Sequence, residues 1–157
     1  MEILTTIVNG LSLGGIYAMI ALGYTMVYGI AKMLNFAHGD IIMVGGYTIL
    51  VFMNMTGHPL IAVLASVIVC ILLGVVIEKV AYKPLRGASP LAVLITAIGV
   101  SYFLQNAAQL LWGSNPKSFT SVVSSIQPFH LFGSLTITGE VLVTVTASVV
   151  IMAALTW

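Results

Sequence analysis

The chain has 157 residues, of which 60% are hydrophobic and 6% are charged, and its formal net charge is +1. Its mean hydropathy is +1.15. Soluble domains carry about a quarter charged residues, so this composition excludes a water-exposed globular surface and indicates an integral membrane protein. The charge balance offers no basic surface for nucleic acid. The single cysteine, Cys70, excludes an internal disulfide, and no Cys/His cluster suggests a metal site or a cofactor.

The first predicted element is a transmembrane helix over about residues 3–31, because residues 3–30 hold no charged side chain. Crossing the hydrocarbon of a bilayer takes roughly 20 helical residues. The start of the chain has no positive charge, and the apolar run is too long for the core of a signal peptide. We therefore expect this helix to remain in the mature protein.

A polar interruption follows in residues 31–40, which hold a lysine, an asparagine, a histidine and an aspartate. The next apolar segment, residues 41–55, would rise only about 22 Å as a helix. That is short for a hydrocarbon core of about 30 Å. The segment either takes length from residues 35–40 or is half of a discontinuous helix.

Two interpretations of the interruption stay open. Broken helices in transporters bind substrates or ions through freed backbone groups and helix ends. On this interpretation the segment lines or hinges a translocation path, with Asn35, Phe36, His38 and Asp40 as candidates. The alternative is a plain turn at the cytoplasmic surface, in which Asp40 complements a helix dipole and Lys32 anchors the chain at the interface.

Three more apolar segments follow, at residues 59–81, 91–112 and from 140 onward, with one long polar stretch at 113–138. The predicted fold class is all-α: a polytopic transmembrane helix bundle of about five spans, with a broken helix near residues 32–40 as one option. We expect residues 1–157 to form one transmembrane domain. Because nothing polar ends the last apolar segment, we also expect a truncated chain, the N-terminal part of a longer one.

Small residues at four-residue spacing predict close helix packing in two spans, because backbone contact drives helix association in lipid. The predicted packing residues are Gly10, Gly14 and Ala18 in the first span and Ala62, Ser66, Cys70 and Gly74 in the third. Ser101, Gln105 and Gln109 likewise mark a protein-facing side of the fourth span. Glu78 is either an interfacial charge in contact with water or a buried functional acid.

The basic residues predict the orientation of the chain in the membrane. Lys32 follows the first span, residues 79–86 hold three basic residues after the third, and Lys117 alone follows the fourth. Cytoplasmic loops carry the excess of lysine and arginine. The N-terminus and residues 113–138 are therefore expected on the exterior side.

Five motifs occur in order along the chain: residues 9–29 (NGLSLGGIYAMIALGYTMVYG), 34–40 (LNFAHGD), 43–47 (MVGGY), 78–86 (EKVAYKPLR) and 94–101 (LITAIGVS). Together they closely resemble the LivH-like permease subunits of bacterial branched-chain amino acid ABC transporters. The likeness covers most of the chain up to Trp112, and the rest is compatible with it but less distinctive.

The resemblance implies a conduit in the bacterial inner (cytoplasmic) membrane that is not itself an enzyme. Such permeases pair with a second permease subunit and two cytoplasmic ATPase subunits, and a periplasmic binding protein delivers the substrate. Family substrates are leucine, isoleucine and valine, or other amino acids, urea and short amides. The family's chain is nearly twice as long, and its ATPase-docking loop lies in the part that is absent here. The sequence has no phosphate-binding loop of its own.

Two other functions stay open from the residues alone. An ion-gradient-driven secondary transporter or channel would use the interruption, but it should show inverted repeats and buried ionisable groups. No convincing repeat is present in the sequence. An intramembrane enzyme based on His38 and Asp40 would need a third metal ligand, and the sequence has no Gly-x-Ser-x-Gly nucleophile motif.

Overall fold

A computed structural model describes residues 2–32, 35–118, 129–131, 135–137 and 139–156. The helices are α1 (Glu2–Ala31), α2 (His38–Thr56), α3 (Pro59–Ile77), α4 (Pro90–Trp112) and α5 (Gly139–Thr156). After α3 the chain continues through a π-helical turn, Glu78–Tyr82, and a 3-10 turn, Lys83–Leu85. Two short strands, β1 (Phe129–Leu131) and β2 (Leu135–Ile137), precede α5.

Among the described residues, four helical segments are long and apolar enough to cross a membrane. They are Thr6–Gly29, His38–Thr56, Pro59–Leu85 and Pro90–Trp112, whereas the apolar part of α5, Val141–Ala154, is shorter. The prediction of a helical, multi-pass membrane protein is confirmed. Of the roughly five expected spans, four meet the length and hydropathy of a full crossing, and the fifth helix does not.

The sequence pattern did not predict the two strands. β1 and β2 pair antiparallel, with Phe129 opposite Ile137 and Leu131 opposite Leu135. They fall in the stretch 113–138, whose serines, threonines and prolines indicated only a polar loop. A two-stranded hairpin of this length is a local feature, and the fold remains helical.

The chain divides into two compact units, which are described separately below. Unit 1 comprises Met1–Met26 and Thr120–Trp157, and unit 2 comprises Val27–Phe119.

In unit 1, α1 and α5 approach each other closely at Gly15 and Ser148. A Cβ added at Gly15 would lie 2.8 Å from the Ser148 hydroxyl oxygen. Ser148 is almost completely buried, and its hydroxyl donates to the Thr144 carbonyl oxygen at 2.6 Å. By contrast, a Cβ added at Gly10 or Gly14 would meet no described atom within 4 Å. The packing role predicted for the stripe containing Gly10 and Gly14 therefore stays a prediction, because no described atom of another helix lies close to either glycine.

Gly15→Ala is expected to weaken the α1–α5 contact, because the new methyl group would overlap the buried Ser148 side chain. Overpacking of this kind costs about 1–3 kcal/mol. Gly14→Ala is the matched control, since an added Cβ there meets open space among the described residues. Thermal unfolding of the purified protein in detergent should show a lower midpoint for Gly15→Ala alone. Equal midpoints for the two variants would contradict the contact.

In unit 2, α2 and α3 form a tight antiparallel hairpin. Gly57 ends α2 in the left-handed region, with φ of 66°, and its N–H donates to the Met53 carbonyl oxygen at 2.9 Å. This conformation suits glycine, which lacks a Cβ. Pro59 then occupies the start of α3, where a missing N–H costs nothing. The turn fixes which residues of the two helices face each other.

The facing surfaces of α2 and α3 are lined by small side chains. The Ser66 hydroxyl donates to the Gly45 carbonyl oxygen at 3.0 Å, and the Cys70 thiol donates to the Ile41 carbonyl oxygen at 3.6 Å. Ala62 and Ser66 are buried, and Cys70 is partly buried. In the predicted α3 stripe, Ser66 and Cys70 thus contact α2, and Ala62 is covered by protein.

The core of unit 2 lies where the start of α2 meets the end of α3 and the middle of α4. Its buried apolar residues are Ala37, Ile77, Tyr82, Ala97 and Leu104. Midway along α2, Tyr47 stacks on Trp112, the last residue of α4, with ring centroids 4.7 Å apart. These contacts hold the beginning of α2 against two long membrane-spanning helices.

Candidate functional site

The backbone between α1 and α2 is organised by the Asn35 side chain. Its Oδ1 accepts a hydrogen bond from the Ala37 N–H at 3.1 Å and a second from the Tyr82 hydroxyl at 2.7 Å. The Asn35 carbonyl oxygen also accepts from the His38 N–H at 3.2 Å. Asn35 is only 9% exposed. A short polar side chain therefore satisfies backbone donors that no helix satisfies, as asparagine often does in turns.

Tyr82 reaches Asn35 from the π-helical turn at the end of α3. The turn Glu78–Tyr82 replaces the α-helical pattern for one wide turn. Such insertions change the direction of the side chains that follow them and are frequent at functional sites. Tyr82 is buried in the core of unit 2. Without this turn, its hydroxyl would not keep the same position relative to α2.

Asp40 lies in the first turn of α2 and contacts α4. Its carboxyl group accepts hydrogen bonds from the Ser101 hydroxyl and from the Gln105 amide, the latter at 3.1 Å. The Gln105 amide also donates to the Ser101 hydroxyl oxygen at 3.1 Å. Asp40 is 7% exposed. An acidic side chain suits the first turn of a helix, but here it also joins two helices.

The positions of the contacting residues along α3 and α4 show how far the first turn of α2 lies from the ends of those helices. Ser101 lies midway along α4, about 16 Å from each end at 1.5 Å per residue. Ile41, next to Asp40, contacts Cys70, which lies near the middle of the apolar span Pro59–Leu85. Both helices therefore place the first turn of α2 near the middle of their own length. Since α2 is itself long enough for a full crossing, the choice between a broken helix and a plain turn at the membrane surface stays a prediction.

The four candidate residues lie in different surroundings. Asn35 and Asp40 are buried and bonded to neighbouring elements. Phe36 is 47% exposed, and His38 is partly buried at the start of α2. The structure thus joins Asn35 and Asp40 to the helix contacts but leaves Phe36 accessible.

Sequence reasoning missed the partners of these residues. Ser101 and Gln105 were recognised only as a polar side of the fourth span, and Tyr82 only as part of a motif. The available signal was the pair of polar residues four positions apart in an otherwise apolar helix, which marks a side facing protein. Nothing in the local sequence shows that Asp40, more than 60 positions away, is the acceptor.

The other ionisable groups of unit 2 lie away from this site. Glu78 pairs with Arg86 at 2.7 Å, and their side chains are 46% and 69% exposed. This favours an interfacial charge over a buried functional acid at Glu78. In the ranges that the structure describes, no three His, Cys, Asp or Glu residues cluster closely enough to hold a metal ion. The site can offer hydrogen bonds and a helix end, but it presents no metal cluster there.

The remaining predicted packing residue on α3, Gly74, is partly buried, and a Cβ added there would meet no described atom within 4 Å. On α1, Ala18 is also partly buried. Their roles in helix packing stay predictions.

Comparison with known proteins identifies the family. The model of a family described as branched-chain amino acid transport system / permease component matches residues 6–157. The chain is 45% identical, over 148 residues, to the high-affinity branched-chain amino acid transport system permease protein BraD of Pseudomonas aeruginosa. That alignment covers 88% of this chain and 47% of BraD.

The chain is also similar to two permease proteins named LivH, from Escherichia coli strain K12 and from Salmonella typhimurium. Each is 45% identical over 123 residues, covering 73% of this chain and 40% of LivH. The chain spans about half the length of the curated relatives it matches. No solved structure gives a significant match. The match to the family model extends over nearly the whole sequence, and the chain therefore belongs to the family of branched-chain amino acid transport permease components.

Proposed function

We propose that this chain serves in the membrane-spanning permease subunit of an ABC importer that moves branched-chain or related amino acids across the bacterial inner membrane. Residues 1–157 act as its transmembrane permease domain. The permease pairs with a second permease subunit and two cytoplasmic ATPase subunits, and a periplasmic binding protein delivers the substrate. Support comes from the relatives, which are named as branched-chain amino acid transport permeases.

The observation that carries the proposal is that Asp40 is hydrogen-bonded to Ser101 and Gln105, near mid-length of α4. Non-helical backbone at membrane depth is tolerated where it is buried in protein or lines a water-filled cavity. Discontinuous helices near the midplane commonly form the substrate path of transporters. Asn35 and Asp40 hold the break against α4 and the π-helical turn. Phe36 and His38 then act as the path-lining or hinge residues.

Reconstitution with the predicted partners tests this function. The complete permease would be expressed with its partner subunits in cells that lack their own branched-chain uptake. We expect radiolabelled leucine uptake to require the phosphate-binding lysine of the partner ATPase. The ATPase should also copurify with the permease in detergent. Uptake that persists when that lysine is replaced would contradict the importer assignment.

A secondary transporter remains the second candidate, because a buried acidic residue within membrane-spanning helices is typical of ion-coupled transport. Asp40, in the first turn of α2 and 7% exposed, is such a residue. Removing the gradients distinguishes the two: a protonophore should abolish uptake by a proton-coupled transporter, and an Na⁺-free medium should abolish uptake by a sodium-coupled one. ATP-driven uptake into proteoliposomes without any gradient would exclude the secondary transporter.

A further inference from the structure

A cavity of about 630 Å³ lies between the end of α1, the turn after α3 and the start of α4. All of its lining residues belong to unit 2. Its volume falls within the roughly 300–1,000 Å³ of typical ligand pockets. The lining combines apolar side chains such as Leu85, Leu91 and Leu94 with two cationic ones, Lys32 and Arg86.

The two cations of the cavity are available to a ligand. Lys32 is exposed, and among the described residues it has no ion-pair partner. Arg86 pairs with Glu78, but the Arg86 side chain is 69% exposed and that of Glu78 is 46% exposed, and solvent-exposed pairs of this kind contribute little to stability. A guanidinium group has five donors in a planar fork, so Arg86 can contact a phosphate without leaving Glu78.

The cavity lies at the end of unit 2 where the basic residues collect. Residues 79–86 hold three of the five lysines and arginines in the chain, and Lys32 faces the same cavity as Arg86. This end is about 16 Å along α4 from Ser101, and the excess of basic residues there is typical of the membrane–water interface on the cytoplasmic side. Basic pockets between membrane helices at this level suit anionic lipid headgroups.

The apolar part of the lining continues onto the exposed surface of α4. Leu91 and Ile95 are exposed and lie four residues apart, on one face of the helix. An acyl chain leaving the cavity could follow this face into the hydrocarbon. A free phosphate ion would gain nothing from contact with such an apolar surface. The combination of two cations and an apolar exit thus matches a phospholipid more closely than a soluble anion.

We propose that this cavity binds one anionic phospholipid of the leaflet on the basic side. Lys32 and Arg86 contact its phosphate, and the Leu91 side of α4 receives its acyl chain. The proposal concerns lipid binding and does not depend on the transported substrate.

Native mass spectrometry of the full permease complex, titrated with phosphatidylglycerol or phosphatidylcholine, tests this site. We expect one phosphatidylglycerol to bind more tightly than phosphatidylcholine. Lys32→Gln should weaken that binding about fivefold, the equivalent of one cation near a membrane surface. Lys32→Arg should restore it, since the charge is retained.

Lys79→Gln is the matched control, because Lys79 is exposed at the same end of the molecule but does not line the cavity. Leu94→Trp should reduce binding by filling the cavity without changing the charge. Equal loss in Lys79→Gln and Lys32→Gln would indicate diffuse surface attraction and overturn the site. Equal affinity for both lipids, displacement by inorganic phosphate, or no retained lipid because another polypeptide fills the cavity would also overturn it.

Discussion

Asp40→Asn is expected to lower substrate uptake by about tenfold or more while leaving the thermal stability of the complex nearly unchanged. A hydrogen bond to a charged group contributes about 1.5–3 kcal/mol, and 1.4 kcal/mol corresponds to a tenfold change in an equilibrium. Burying a carboxyl group also carries a larger desolvation cost than burying an amide. The two effects offset in the free energy of unfolding. The hydrogen bonds that hold the first turn of α2 on α4 are nevertheless weaker in Asp40→Asn.

Asp40→Ala separates the structural contribution from the functional one. It would leave the Ser101 hydroxyl and the Gln105 amide without the acceptor that they share. A buried polar group without a partner costs about 1–3 kcal/mol. We therefore expect a lower melting temperature for Asp40→Ala than for Asp40→Asn, with both variants impaired in uptake.

Asn54→Ala serves as the control for this pair. Asn54 lies on the same helix but is exposed near its far end, so its loss should change neither uptake nor melting. Radiolabelled leucine uptake and the melting temperature of the purified complex are the two measurements. Wild-type uptake by Asp40→Asn would show that the carboxyl group has no part in transport.

The placement of the spans could be predicted because hydropathy is a property of the local sequence. The start of α2 could not be predicted in the same way. Residues 38–40 contain a histidine and an aspartate, and the apolar pattern begins only at residue 41. The helix nevertheless begins at His38. The Ile41 N–H donates to the Ala37 carbonyl oxygen, and Asp40 finds its partners on α4. Only tertiary contacts make these polar residues acceptable in a buried helical turn.

The small-residue stripes show a second limit of sequence reasoning. Four-residue spacing indicates that a helix has a side able to approach another backbone closely. It does not settle which of two neighbouring glycines makes the contact. In α1 the close approach to Ser148 is at Gly15, next to the predicted Gly14, and the packing role of Gly10, Gly14 and Ala18 stays a prediction. In α3, Ala62 and Ser66 are buried and the Ser66 hydroxyl donates to the Gly45 carbonyl oxygen, while the packing role of the whole stripe stays a prediction.

Tyr82 illustrates why the candidate site was only partly predicted. Its contact with Asn35 depends on the π-helical turn, and a π-helical insertion leaves no clear mark on hydropathy. Asn35 and Asp40 were found because polar residues are rare in this chain. Their partners lie 47 and more positions further along the sequence, where no local pattern connects them.

Gly45→Ala is expected to destabilise the α2–α3 hairpin by about 1–3 kcal/mol, the usual cost of overpacking. A Cβ at this position would lie 2.9 Å from the Cys70 sulfur and 3.1 Å from the Ser66 hydroxyl oxygen. The Ser66 hydroxyl also donates to the Gly45 carbonyl oxygen, so the helices cannot separate without lengthening that hydrogen bond. Thermal unfolding of the purified protein in detergent should show a lower midpoint, and Gly45→Leu should lower the yield of assembled complex.

The chain offers a matched control and a rescue for this contact. Gly46 is the next residue on α2, and a Cβ added there meets no described atom within 4 Å, so Gly46→Ala should be neutral or slightly stabilising. Cys70→Ala removes the sulfur that the new methyl group would meet. We expect Gly45→Ala with Cys70→Ala to recover part of the lost stability, which a double-mutant cycle measures as coupling between the two positions. Equal midpoints for Gly45→Ala and Gly46→Ala, or strictly additive effects in the cycle, would show that α2 and α3 do not approach each other at Gly45.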